Sequence, residues 1–166
     1  NGQVLAVAAT IEKATVTVAK LDQDVLTYNA QEQTVNVVSV KASNLDVPAN
    51  DYTVQGNTET NVGTYEVTVT GTPVVTDAEG NNVTDQFTVT TVNGSMTINP
   101  ATVTVTANNQ TKAVGQADPA LTTTVSGLIG SDTVAYTVSR AAGETVGSYT
   151  ITPAGAATQG NYTVVY

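Results

Sequence analysis

The sequence predicts an all-β protein built as two tandem β-sandwich domains, and three observations carry that expectation. Thr and Val dominate a chain with only 11% charged residues, and β-branched side chains suit a pleated sheet better than a helix. Apolar and polar residues alternate in Ala14-Thr15-Val16-Thr17-Val18, Tyr65-Glu66-Val67-Thr68-Val69, Phe87-Thr88-Val89-Thr90 and Thr102-Val103-Thr104-Val105-Thr106, the period of a half-buried strand. Turn signals such as Glu79-Gly80-Asn81-Asn82, Asn93-Gly94 and Gly160-Asn161 punctuate these runs, because Gly and Asn tolerate positive φ. No segment places apolar residues at convincing helical spacing. A length of 166 residues accommodates one medium domain or two small ones.

Internal repetition favours two. Thr10-Ile11-Glu12-Lys13-Ala14-Thr15-Val16-Thr17-Val18 matches Thr97-Ile98-Asn99-Pro100-Ala101-Thr102-Val103-Thr104-Val105. Asn61-Val62-Gly63-Thr64-Tyr65 matches Thr145-Val146-Gly147-Ser148-Tyr149, and Gln86-Phe87-Thr88-Val89 matches Asn161-Tyr162-Thr163-Val164. The three matches keep one order, which assigns repeat one to residues 12–99 and repeat two to residues 100–166. Pro100 at the junction stiffens the connection and stops the ladder from running on.

The repeats differ at their ends. After Thr91, repeat one continues through Asn93-Gly94 into a closing strand, Ser95-Met96-Thr97-Ile98, and nothing equivalent follows Tyr162-Thr163-Val164 within the sequence. Residues 1–11 align through Thr10-Ile11 with such a strand, and alternation puts Leu5, Val7, Ala9 and Ile11 on one face, beside Val4. Two readings stay open. The leading strand is either a donor that fills repeat two of a neighbouring copy, giving a head-to-tail filament, or the remnant of a preceding repeat in a longer array. The start at Asn1 without Met suits a processed chain or a piece of a longer one.

Five Lys and Arg against fourteen Asp and Glu give a net charge of −9, which argues against nucleic acid and anionic membrane surfaces as partners, since both need cations. No apolar run is long enough to span a bilayer. Without His or Cys, nucleophile–base pairs, disulfides and thiolate metal sites cannot be assembled, and no enzyme is expected. The chain is expected to carry no cofactor, with one weak calcium candidate. Asp77, Glu79, Asn81 and Asp85 offer alternating oxygen ligands in an acidic loop, but the bidentate Glu that closes an EF-hand is missing. Lys13, Lys20 and Lys112 are expected to be free surface lysines rather than members of covalent Lys–Asn bonds. The Asn-x-Ser/Thr sites at Asn82, Asn93, Asn109 and Asn161 are of the frequency that a chain so rich in Asn and Thr produces by accident. Tyr65 and Tyr149 are expected to cover the core edge while their hydroxyls reach backbone.

Repeat two also resembles a known family. Thr111-Lys112-Ala113-Val114-Gly115-Gln116-Ala117-Asp118-Pro119-Ala120-Leu121, then Gly127-Leu128, Gly130-Ser131-Asp132-Thr133-Val134, Arg140, Gly143-Glu144, Val146-Gly147-Ser148-Tyr149 and Gly160-Asn161-Tyr162 resemble the MBG repeats of bacterial surface proteins. Val114 stands where that family commonly has Tyr. Repeat one, through Tyr28-Asn29, Asp51-Tyr52-Thr53-Val54 and Asn93-Gly94-Ser95-Met96, looks like a related repeat. The resemblance implies two immunoglobulin-like sandwiches in an extracellular, cell-surface protein whose partners are copies of itself or adjacent repeats. The expected function is structural or adhesive, as a stalk or fibre subunit. The alternative is an adhesin module that recognises a host protein or glycan through loops such as 56–62 and 76–84.

Overall fold

The computed structural model describes residues 9–42, 45–46 and 49–166. Among them the chain is all-β, and its one helical element is the 3₁₀ turn Thr84–Gln86. Repeat one contributes β1 (Ala14–Leu21), β2 (Val25–Thr27), β3 (Gln33–Thr34), β4 (Val37–Ala42), β5 (Leu45–Asp46), β6 (Ala49–Gln55), β7 (Thr58–Glu59), β8 (Gly63–Val75), β9 (Phe87–Thr91) and β10 (Gly94–Asn99). Repeat two contributes β11 (Ala101–Ala107), β12 (Thr123–Ser126), β13 (Thr137–Arg140), β14 (Ile151–Ala154), β15 (Thr158–Gln159) and β16 (Tyr162–Val165). The Val/Thr alternation shows directly in β11, where Ala101, Val103 and Val105 are buried and Thr102 and Thr106 are exposed.

The sequence repeat is also a repeat of strand pairing. β1 runs parallel to β9 with Ala14 opposite Phe87 and Val16 opposite Val89, and β11 runs parallel to β16 with Ala101 opposite Tyr162 and Val103 opposite Val164. These are the residues that the sequence matches place together. A parallel pair cannot be joined by a tight turn, so in each repeat the chain leaves the sheet and returns. On the other side of the first strand lies an antiparallel neighbour, β4 in repeat one and β12 in repeat two. The excursion between carries an antiparallel hairpin, β6–β8 or β13–β14, with Val54 opposite Val69 and Val138 opposite Pro153.

By packing, the chain forms two compact units: one of residues Asn1–Asp24, Thr34–Thr58 and Tyr65–Met96, the other of Val25–Gln33, Glu59–Thr64 and Thr97–Tyr166. In the first, Val16 and Val75 form a core with Val83, Phe87 and Val89, and Val67, Val69 and Met96 are buried as well. In the second, Tyr28, Ile98, Ala101, Val103, Val105, Tyr162 and Val164 are buried. Each large apolar side chain so buried contributes about 1.5–3 kcal/mol.

One strand breaks the correspondence. β8 lies between β6 and β10 in the sheet ordered β2-β10-β8-β6, whereas β13 and β14 form a sheet of two. Among the described residues, the edge of β14 away from β13 has no strand on it. The side chains register the difference: Val67 and Val69 are 0% and 4% exposed, while Ile151 and Pro153 at the matching positions of β14 are only half-buried. Likewise β2 exists because Val25, Leu26 and Thr27 pair with Thr97, Ile98 and Asn99 of β10, and residues 111–113, at the same distance beyond β11, form no strand.

Truncation should report this difference. Val69→Ala removes fully enclosed methyl groups and is expected to cost about 1–3 kcal/mol, whereas Ile151→Ala, although it deletes more atoms, should cost less than the roughly 2–5 kcal/mol typical of enclosed isoleucine. Urea unfolding of the two variants measures both losses.

Candidate interaction surface

Of the leading-strand candidates, Val4, Leu5 and Val7 lie outside the described residues. Ala9 and Ile11 lie within them, in residues 9–13, which have no strand pairing in the single chain and are exposed, with Ile11 96% exposed. A large apolar side chain with nothing against it forgoes the burial energy that the alternation anticipates.

The acidic loop 77–85 is organised by its own backbone. Asp77 Oδ1 accepts the N–H groups of Glu79 at 3.0 Å and Asn81 at 2.8 Å, and Asn81 Nδ2 donates to Asp77 Oδ2 at 3.0 Å. These donors, the Asn81 side chain foremost, hold the Asp77 carboxyl below its ordinary pKa. Asn82 Oδ1 accepts from Thr84 N–H, and Asp85 is exposed in the 3₁₀ turn. This is Asx-turn geometry, in which the carboxylate lone pairs face amide protons. Among the described residues, no three acids converge as a metal site requires.

The charged residues that do converge belong to repeat two, and Lys112 is one of them, held by ion pairs. Lys112 Nζ donates to Asp118 at 2.7 Å and to Glu144 at 2.6 Å, while Arg140 Nη2 reaches Asp118 Oδ2 at 2.9 Å and Glu144 at 2.8 Å. Arg140 Nη1 also donates to the carbonyls of Ala141 and Gly143, and its guanidinium lies 5.3 Å from the Tyr149 ring centre. Tyr149 donates its hydroxyl to the Thr145 carbonyl at 2.9 Å. Gly143, at φ +148°, is obligatory here, since a Cβ would run into the Tyr149 ring. Two cations thus tie the turn after β11 to the loop between β13 and β14. Val114 and Val146, on those two loops, are left 66% and 91% exposed.

A second polar centre joins segments distant in sequence. Tyr28 meets the Tyr162 ring edge-on, with centroids 5.5 Å apart and planes at 84°. Both hydroxyls donate to Asp132 Oδ2, at 3.1 Å from Tyr28 and 2.7 Å from Tyr162, and the Tyr162 oxygen accepts the Ile129 N–H. Burial, and then the bond to Asp132, push the Tyr162 hydroxyl up from its usual pKa. Beside it, Asn161 Oδ1 accepts the Val62 N–H at 2.9 Å and Asn161 Nδ2 donates to Asn61 Oδ1 at 3.0 Å. Sequence reasoning read Asn161 as a turn residue and part of the family motif but not as a contact to Asn61 and Val62; the available signal was its position, immediately before a strand that matches β9.

The ion cluster sets an acid limit. Lys112, then Arg140, hold both the Asp118 and Glu144 carboxyls below their ordinary values. A carboxyl depressed by folding stabilises the fold above its unfolded pKa, and that stabilisation is lost as the pH falls through the folded value. The melting temperature should therefore fall below about pH 4, and Lys112→Met with Arg140→Met should flatten that acid limb. Calcium at millimolar concentration is expected to leave the melting temperature unchanged; an increase that Asp77→Asn abolishes would make loop 77–85 a cation site.

No curated protein and no solved structure matches the chain. From the third residue of β11 to the end of β16 and Tyr166, residues 103–166 match the family model described as MBG domain (YGX type), the family that repeat two resembles by its motifs.

Proposed function

We propose that the chain is a non-enzymatic structural or adhesive module of the bacterial cell surface, a stalk or fibre subunit of tandem immunoglobulin-like sandwiches, whose second repeat accepts a strand from a neighbour. The family match over residues 103–166 supports a surface repeat module. Each repeat divides into one sheet that holds the first strand with its two neighbours and another that holds the hairpin, and this division supports the sandwich reading.

The observation that carries strand acceptance is the uncovered edge of β14. In repeat one the same edge is closed by β10, which brings Met96 and Ile98 to 0% and 1% exposure. An open edge with half-buried Ile151 beside it is a template for another strand. Pro153 on β14 removes one N–H, but the equivalent Val69 directs its N–H to the Asn93 side chain, so the proline sits at the position where the edge loses least.

The donor we assign is residues 3–11 of a neighbouring copy, with Leu5, Val7, Ala9 and Ile11 taking the role of the inward face of β10. Filling the groove with them would stabilise the joined chains by roughly 4–8 kcal/mol before the cost of association. Recognition of a host protein or glycan through loops 56–62 and 76–84 has less support, because Asn61 and Val62 are engaged with Asn161 and Asp77 is engaged with its own loop.

Negative-stain microscopy and sedimentation at neutral pH test this. The full chain is expected to form linear assemblies, whereas a variant lacking residues 1–11 is expected to remain dispersed and to bind a free peptide of residues 3–13 without polymerising, since that peptide carries no second chain. If the truncated chain builds the same assemblies, strand donation is wrong.

A further inference from the structure

We propose that the Val114 and Val146 loops of repeat two dock on the Gln86 and Phe87 face of a second copy of this chain, repeating between copies a contact that the chain already makes once within itself. The completed example lies in the second packing unit. There Tyr28 is 8% exposed against Tyr162, which is 3% exposed, and Val62 is half-buried with its N–H on Asn161.

Each half of that contact occurs a second time without its counterpart among the described residues. Tyr28 follows the end of β1 at Leu21 by the same interval as Val114 follows the end of β11 at Ala107. Val62 and Val146 occupy the same place in the matching Val-Gly turns. In the first pair Tyr28 is buried and Val62 half-buried, whereas in the second Val114 is 66% and Val146 91% exposed. On the receiving side, Asn161-Tyr162 opens β16 opposite Ala101, and Gln86-Phe87 opens β9 opposite Ala14 in the same register. Tyr162 is buried by Tyr28, whereas Phe87 is half-buried and Gln86 exposed.

The chemistry of the two unmatched halves fits. Gln86 presents the amide of Asn161 on a stem one methylene longer, able to accept the Val146 N–H. Phe87 presents an aromatic edge to Val114, and with no hydroxyl it needs no acceptor such as Asp132, which suits Val in place of Tyr. The ion cluster fixes both donor loops, so little conformational freedom is lost on contact. Because the two surfaces differ, the contact is head to tail and does not close on itself.

This docking involves loops and not residues 1–11, so it stands or falls separately from strand donation. The chain contains no Cys, which allows a direct test in the full protein. Chains carrying Gln86→Cys and Val146→Cys are mixed under mild oxidation, and the rate of mixed disulfide is compared with that of Val146→Cys and a mid-sheet control, Thr102→Cys. The expected result is a rate roughly tenfold or more above the control, reflecting local concentration at a docked face, with Val114→Asp in the Val146→Cys chain returning it to the control. Equal rates for the two mixtures, or no effect of Val114→Asp, would overturn the proposal.

Discussion

The parallel pairing of the first strand with the Phe/Tyr-Thr-Val strand is the constraint on which each repeat depends. It joins Ala14 to Phe87 in repeat one and Ala101 to Tyr162 in repeat two, closing loops whose entropic cost rises only slowly with length. Because parallel strands place side chains in register, Val16 and Val89, or Val103 and Val164, face the same interior. Once that pair is set, the first strand has one free edge for β4 or β12, and the intervening hairpin has a hydrophobic face to cover. Thr takes the outward positions and supplies the solubility that few charges could.

The same economy leaves little margin at edges. Among the described residues the cores are built mainly from valines, with Met96, Ile98 and two buried tyrosines as the larger members, so the presence of a strand on an edge is felt by every residue beneath it. The contrast between Val67 and Ile151 is of this kind: they hold matching places in the repeats, and Val67 lies on a strand flanked by β10 while Ile151 lies on a strand paired with β13 alone among the described residues. β2 follows the same logic, since its pairing is entirely to β10. A strand in one repeat thus dictates whether another, far away in sequence, exists.

Polar side chains hold together what the thin cores do not. With no disulfide available, Asp132 gathers two tyrosine hydroxyls, Asn161 bonds to both Asn61 and the Val62 backbone, and four charged groups fix the loops that carry Val114 and Val146. The ion cluster is partly exposed, and pairs of that kind contribute modestly to stability. Its effect is to restrict two loops to one arrangement. That serves a module whose work, as proposed, is to meet neighbours in a fixed orientation.

The sequence by itself determined the strand content, the register of the repeats and the match of β1 with β11 and β9 with β16, because Val/Thr alternation and ordered recurrence are local and survive in plain text. Tertiary structure alone decided which residues converge. Nothing in the local text pairs Lys112 with Asp118 and Glu144, and Asn161 reads as a turn residue until Val62 and Asn61 arrive. The acidic spacing of Asp77, Glu79, Asn81 and Asp85 suggested ligands for a cation, and the fold turned Asp77 towards amide protons instead. Periodicity reports which face a residue takes; only the crossing of distant segments determines what stands opposite it.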